Sequence, residues 1–414
     1  MAETVAAAKV IAAPTLPLKL TLTQLPNPAP EGSPHPALAR THHTVTVLDN
    51  KAFIFGGEDA SRNLCPPGIH TLTLPTSPVK TSTTTSDASK EGEPTVYGTA
   101  YTCYPPFPLQ DASTGETLVP APRAEHAACA YNDRYLLVHG GRDGAGKPVD
   151  EDNCLWQWDS EKLSWSKLRG DSQLGRAMAP RYGHWMFADG RQGFLVVVGG
   201  TTTKGGDEEI GREAWVYDFQ SMVWTALPEL PVRPVAAAYA GGRVYAISSS
   251  KDSGLVHYLD MLNSTVEREK PGALVWRSVN DPGALEPKPR PGGALVPLTM
   301  GHGREYLVYI LGRSEQEGGC AEIWTLQLPA RSRSAAAAGD KIREKLLGEE
   351  SEEFRWAEAD IISTERMAEG GQVHGGPSGF ISADACLDGK GVVLWEGINA
   401  KGGEEAYGWI LRLA

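Results

Sequence analysis

Short apolar runs punctuated by glycine, proline and aspartate follow one another along the chain in a fixed order. The clearest set lies mid-chain: PRAEHAACAY (Pro122–Tyr131), RYLLVHGG (Arg134–Gly141), NCLWQWD (Asn153–Asp159) and LSWSKL (Leu163–Leu168). The order repeats in PRYGHWMFA (Pro180–Ala188), GFLVVVGG (Gly193–Gly200), EAWVYDF (Glu213–Phe219) and MVWTALP (Met222–Pro228). Runs this short, rich in β-branched and aromatic residues and bounded by turn formers, predict strands. Each unit supplies four: one behind Arg-x-x-His, one ending in Gly-Gly, one with an aromatic residue and one with Trp. Trp158 and Trp165 stand seven apart, as do Tyr217 and Trp224, which predicts adjacent strands joined by a hairpin. Apolar residues on both faces predict strands buried between neighbouring sheets.

The same order recurs more faintly elsewhere. An earlier unit has ARTHHTVTVL (Ala39–Leu48), KAFIFGG (Lys51–Gly57) and HTLTL (His70–Leu74). A fourth has VRPVAAAYA (Val232–Ala240), RVYAISSS (Arg243–Ser250), VHYLDM (Val256–Met261) and LVWRSV (Leu274–Val279), with Ser248-Ser249 in place of the diglycine. A fifth runs through PRPGGALVPL (Pro289–Leu298), EYLVYILG (Glu305–Gly312), AEIWTLQL (Ala321–Leu328) and FRWAEA (Phe354–Ala359). A sixth has GGPSGFISA (Gly375–Ala383), GVVLWEG (Gly391–Gly397) and AYGWILRL (Ala406–Leu413). The leading arginines fall at 40, 123, 181, 233 and 290, at intervals of 83, 58, 52 and 57 residues.

Diglycine, a following aromatic and a spaced Trp resemble the kelch repeat of the galactose oxidase/kelch superfamily, whose unit is about 50 residues. The resemblance runs over residues 15–414 and implies an all-β fold, a single six-bladed kelch-type β-propeller. The sixth unit lacks its Trp-type strand, and LPLKLTLTQLP (Leu16–Pro26), which alternates, is placed to supply it. The expectation is a ring closed by an N-terminal strand pairing with the C-terminal blade. Residues 1–14 read as a flexible N-terminus. Two polar insertions interrupt the units, about 76–95 (Ser/Thr-rich, a loop) and 331–353 (Ala-rich with alternating charges, a short exposed helix).

Composition narrows the function classes. The net charge of −12 disfavours nucleic acid as a partner, because an acidic chain repels a polyphosphate. The N-terminal segment carries Glu3 and is broken by Pro14 and Pro17, so it does not read as a secretory signal. No apolar run reaches the roughly 18 residues of a spanning helix, so no membrane is expected. The cysteines Cys65, Cys103, Cys129, Cys154, Cys320 and Cys386 form no C-x-x-C pair and read as reduced, buried thiols of a cytoplasmic protein.

Propeller chemistry sits at the mouth of the central channel, where rigid blades hold variable loops. The repeat places Arg40, Arg123, Arg181, Arg233 and Arg290 just before the innermost strands, with His43, His126 and His184 three residues after the first three. Two readings are open. The arginines form an anion-attracting funnel, or they bond backbone and carboxylates within the repeat; the histidines likewise read as packing or as site groups. Tyr182 and Trp185 join them as candidate mouth residues. The loops after the diglycines (Glu58, Asp59, Arg62; Arg142, Asp143, Lys147; Thr201, Thr203, Lys204; Arg313, Ser314, Glu315) are mixed in charge and suit peptide recognition. No P-loop, G-x-S-x-G, G-x-G-x-x-G or H-E-x-x-H occurs. Nor is there a set matching the copper oxidases or iron-dependent specifier proteins of related architecture, so no catalytic residue, metal or cofactor is assigned. The sequence points to a non-enzymatic protein- or peptide-binding module, an adaptor or scaffold, with an acidic or phosphorylated segment as the ligand of an arginine funnel. The alternatives are a lyase, isomerase or specifier-like enzyme in the channel mouth, or a structural subunit of a stable complex.

Overall fold

A computed structural model describes residues 16–25, 36–75, 100–107, 109–110, 115, 117–172, 177–204, 207–248, 256–262, 274–279, 286–289, 292–300, 303–311, 322–330, 354–365, 381–386, 388–396 and 407–414. Both polar insertions and residues 1–14 lie outside them. The described chain is almost wholly β, with one 3-10 turn at Pro36–Leu38. No helix among the described residues is long and apolar enough to cross a membrane.

Six antiparallel sheets form the blades. From the axis outward, blade 1 is Thr44–Leu48, Lys51–Phe55, Ile69–Thr73 and Tyr101–Tyr104. Blade 2 is Ala127–Tyr131, Tyr135–His139, Leu155–Asp159 and Ser164–Leu168. Blade 3 is Trp185–Asp189, Phe194–Val198, Ala214–Asp218 and Val223–Ala226, with the short Asp171–Ser172 added at its rim. Blade 4 runs Pro234–Ala240, Arg243–Ser248, Val256–Asp260 and Arg277–Ser278; blade 5 runs Ala294–Thr299, Glu305–Ile310, Ile323–Gln327 and Arg355–Glu358. The spacing argument holds in detail: Trp158 faces Trp165 and Tyr217 faces Trp224 across their hairpins. The innermost strands of successive blades touch, and that of blade 6 returns to blade 1.

Blade 6 closes the ring. Ile381–Ala385, Gly391–Glu396 and Tyr407–Leu413 are completed by Lys19–Gln24, antiparallel to the C-terminal strand with Leu20 opposite Leu413 and Gln24 opposite Trp409. Its alternation is the reason it fits: Leu20 and Leu22 are buried while Lys19 is exposed. A fifth strand, Asp360–Glu365, lies parallel to it on the outside, a feature the repeat pattern does not contain. The hairpin Thr201–Lys204 with Asp207–Ile210 replaces the loop expected after the third diglycine.

The core consists of apolar seams between neighbouring blades. Leu136 and Val138 enter the seam with blade 1 beside Phe53 and Phe55, whereas Leu137 enters the seam with blade 3 beside Leu195 and Trp215. Successive residues of a strand point to opposite faces, so a strand between two seams must be apolar throughout. Each buried Leu, Val or Phe contributes about 1.5–3 kcal/mol.

Candidate functional site

The repeated arginines work inside the blades. Arg123 and Arg181 are fully buried and Arg40 nearly so. In each, Nη1 donates to the carbonyl of the first glycine of its own blade's diglycine: Gly56 at 2.9 Å, Gly140 at 3.0 Å and Gly199 at 2.9 Å. Arg123 also grips Glu151 with both terminal nitrogens, at 2.8 and 2.7 Å, and Arg181 grips Glu213 at 2.6 Å. Their carboxylates sit in the same blade and also accept the indole N–H of Trp156 and Trp215. A planar fork suits this paired role. An anion-attracting funnel of these three is therefore not what the structure displays. Arg233 is exposed, outside the pattern, and Arg290 lies outside the described residues.

The diglycines join one blade to the next. The second glycine's N–H donates across the seam, Gly57 to the Arg123 carbonyl and Gly141 to the Arg181 carbonyl, both at 2.9 Å. The first glycine has no room for a side chain. A Cβ on Gly140 would stand 2.5 Å from the Arg181 carbonyl oxygen and 2.8 Å from His184 Cε1, and φ there is +60°. His126 and His184 thus pack onto the preceding blade's diglycine. His126 Nε2 bonds Thr44 Oγ1 at 2.8 Å and His184 Nε2 bonds His139 Nδ1 at 3.0 Å, both across a seam. Burial holds His43 and His139 down to about 3, with Arg40 and Arg181 respectively adding to the effect. Burial likewise keeps His126 and His184 well below the usual imidazole range, so all four are neutral at neutral pH. Among the described residues no cluster of His, Cys, Asp and Glu has the grouping of a metal site.

The mouth itself is built from side chains between these fixed points. The third residue of each Arg-x-x-His turn (His42, Glu125, Gly183) has φ of 55°, 53° and 62°, the left-handed conformation of a tight turn. These residues are strung blade to blade, Glu125 N–H to the His42 carbonyl at 2.9 Å and Gly183 N–H to the Glu125 carbonyl at 2.7 Å. Beside them stand the residues just after the diglycines, bridged to the turns as Glu58 with Thr41, Arg142 with Ala124 and Thr201 with Tyr182. Arg142 reaches back across the seam to Glu58 at 2.6 Å and holds Glu125 of its own blade at 2.8 Å. His42 Nδ1 lies 3.4 Å from Glu58 and its Nε2 3.9 Å from Glu125. Burial would raise the Glu58 carboxyl, but the bond and charge of Arg142 outweigh this and hold it below the usual range. Arg142 is correspondingly raised, Glu58 and Glu125 outweighing burial. The network floors a recess of about 480 Å³ lined also by Thr41, Asp59, Ala60 and Arg62.

Tyr182 and Trp185 are half-buried near this mouth, with the Trp185 ring against Gly199 and the seam to blade 4. Glu58, Arg142 and Asp59 were visible in the sequence as post-diglycine loop residues. His42 and Glu125 were missed, although each sits inside an Arg-x-x-His motif, where the variable position is the one aimed at the mouth. The cysteines divide: Cys65, Cys154 and Cys386 are buried, Cys129 is half-buried and Cys103 is exposed, contrary to the expectation of uniform burial. Cys320 lies outside the described residues.

Residues 110–308 match the family model described as the KLHDC2/KLHL20/DRC7 Kelch-repeats domain. Acyl-CoA-binding domain-containing protein 5 of Arabidopsis thaliana is 27% identical over 193 residues, 46% of this chain and 23% of that protein. Acyl-CoA-binding domain-containing protein 4 of the same plant is 27% identical over 204 residues, 49% of this chain and 24% of that protein. The chain thus matches about a quarter of the length of these relatives. The matched segment runs from the end of blade 1 into blade 5, through the units where Arg, diglycine and Trp recur most regularly, and the blades on either side close the same ring: a six-bladed β-propeller with kelch repeats over the matched residues.

Proposed function

We propose that this propeller is a non-enzymatic protein-binding module, an adaptor or scaffold, that takes a peptide segment at the mouth over blades 1 to 3. The observation that carries this reading is the recess of about 480 Å³, with charged side chains on turns that the Arg, diglycine and His seams hold rigid. Preorganised loops lower the ordering cost of binding. Glu58 is kept charged by Arg142, the state of an ion-pair partner and not of a proton shuttle near neutrality. Kelch propellers typically bind proteins, which agrees with this. An acidic or phosphorylated ligand needs unpaired guanidinium groups, and Arg40, Arg123 and Arg181 spend theirs inside the blades. At the recess Arg62 and Arg142 face Glu58, Asp59 and Glu125, so a segment carrying both signs of charge matches it better.

The test is quantitative interaction proteomics on three forms of the chain. One is wild type, one carries Arg62→Glu with Glu125→Gln at the mouth, and one carries Lys162→Glu with Arg191→Glu in turns at the opposite end. A partner lost only from the mouth variant supports the reading. Partners shared equally by all three, or lost only from the opposite-end variant, refute the assignment to this face.

A further inference from the structure

Two turns at the mouth share one backbone path but not the residue at its strained point. After the first diglycine the chain runs Asp59-Ala60-Ser61-Arg62-Asn63, and after the second Asp143-Gly144-Ala145-Gly146-Lys147. In both, the N–H of the leading aspartate donates to the carbonyl of the fifth residue, at 3.0 and 2.9 Å, and its carbonyl accepts from the N–H of the fourth at 3.0 Å. Its Oδ1 accepts the N–H groups of the third and fifth residues, at 2.9 and 2.8 Å in blade 1 and at 2.9 Å for each in blade 2. The fourth residue takes a left-handed φ in each, +63° at Arg62 and +77° at Gly146. Glycine adopts that conformation freely, whereas the Cβ of an arginine crowds the backbone there.

Nothing inside the fold repays this strain. Arg62 is exposed, and among the described residues no group bonds or pairs with its guanidinium. A Cβ at the matching Gly146 would likewise meet nothing within 4 Å. Arg62 does, however, line the recess of about 480 Å³. The carboxylates of that recess are already occupied. Glu58 and Glu125 are held by Arg142, at 2.6 and 2.8 Å. Asp59 spends both oxygens on its own turn, Oδ2 accepting from the Asn63 amide at 3.1 Å, and these bonds, that of the Asn63 N–H foremost, hold it below the usual carboxylate range. The lining thus holds one guanidinium bound to two carboxylates and another bound to none. A strained residue whose side chain has no task within the fold points to a task outside it.

We propose that Arg62 is the specificity-determining residue of the mouth, its guanidinium taking the side-chain carboxylate of an aspartate or glutamate in the bound segment. This rests on the reading of the mouth as a peptide site. A guanidinium fork meets a carboxylate with two parallel N–H donors, so geometry as well as charge selects the acidic residue. The remaining lining charges, Glu58, Asp59 and Glu125 against Arg142, leave an excess of anion, so the same segment needs a basic residue beside the acidic one. The walls of the recess keep part of the solvent away from such a pair, which strengthens it relative to one on open surface.

The experiment takes peptides selected on the wild-type chain from a random-peptide display library. They are titrated by calorimetry against wild type, Arg62→Gly, Arg62→Lys and Glu125→Gln, with a thermal melt of each form. Arg62→Gly should melt at or above wild type, because glycine relieves the left-handed φ. Its affinity for the selected peptides should nevertheless fall about tenfold, the loss of one charge-assisted pair. Exchanging the acidic side chain of the peptide for its amide should cost wild type the same about tenfold and cost Arg62→Gly nothing further. Arg62→Lys, a point charge without the fork, should recover part of the loss. A lowered melt in Arg62→Gly shows an arginine that serves the fold and overturns the proposal. An amide exchange that weakens both forms equally also overturns it, as does binding that depends on a free C-terminal carboxylate in place of the acidic side chain. Peptides weakened by Glu125→Gln but bound equally by Arg62→Gly overturn the proposal and leave the mouth reading standing. Peptides indifferent to both substitutions, or a selection that enriches none, overturn the two together.

Discussion

Acid should loosen this propeller well before its ion pairs are protonated. His43, His126, His139 and His184 are buried and neutral at the seams, the first and third held down to about 3 and the others well below the usual range. In the unfolded chain each titrates near 6.5. The unfolded state therefore binds more protons below that value, and stability falls as pH falls through and below about 6.5. At pH 5 each buried neutral histidine costs about 2 kcal/mol relative to pH 7.5, or about 8 kcal/mol for the four. Asp384 works in the opposite sense: burial raises it to about 6, so the folded state gains a proton there and recovers about 1 kcal/mol. The lowered carboxyls of Glu58 and Glu151 begin to lose stability only near and below pH 4 to 5, mostly outside this window. The net loss rivals the total stability of many domains, about 5–15 kcal/mol. Urea denaturation at pH 7.5, 6.5, 5.5 and 5.0 measures it, and His126→Gln should remove about one proton from the pH slope. Stability that is flat from pH 7.5 to 5, or a slope unchanged in His126→Gln, would refute the reasoning.

Arg123→Met should destabilise the fold by about 3–5 kcal/mol, since the half-buried Glu151 loses its cation and the Gly140 carbonyl its donor, whereas Arg233→Ala should stay within about 0.5 kcal/mol; thermal melts compare them. Gly140→Ala should cost more than about 2 kcal/mol, because strained φ and a 2.5 Å approach to the Arg181 carbonyl combine. Gly146→Ala, at φ +77° with nothing within 4 Å, should cost about 1 kcal/mol, read by the same melts. Deleting residues 1–26 removes the strand paired to Tyr407–Leu413 and uncovers Trp409 and Leu411. The shortened chain should elute as aggregate in gel filtration, and a stable monomer would contradict ring closure by this strand.

The blades were legible because each strand lies between two seams and must be apolar on both faces, so period, diglycine and Trp spacing all recur. The closing strand was legible for the complementary reason: Leu18, Leu20 and Leu22 alternate with polar residues and the sixth unit was one strand short. Asp360–Glu365 was not, since it belongs to no repeat and its partner, residues 19–23, lies far from it in sequence. The arginines were found but their role was open, because a repeated cation looks alike whether it faces solvent or a carboxylate. Glu151 lies 28 residues from Arg123 and Glu213 lies 32 from Arg181, and only folding brings them together. His42 and Glu125 were hidden in plain sight, at the motif position where the repeat fixes the backbone and leaves the side chain free to vary.

The central claim is that the mouth over blades 1 to 3 recognises a peptide segment through the network around Arg142. The most direct measurement is selection from a random-peptide display library on the purified chain, followed by calorimetric titration of selected peptides. The account predicts enriched peptides carrying both signs of charge, whose affinity falls at least tenfold in Arg62→Glu with Glu125→Gln and is unchanged in Lys162→Glu with Arg191→Glu. Selected peptides that bind the mouth variant as well as wild type, or a selection that enriches nothing, would contradict it.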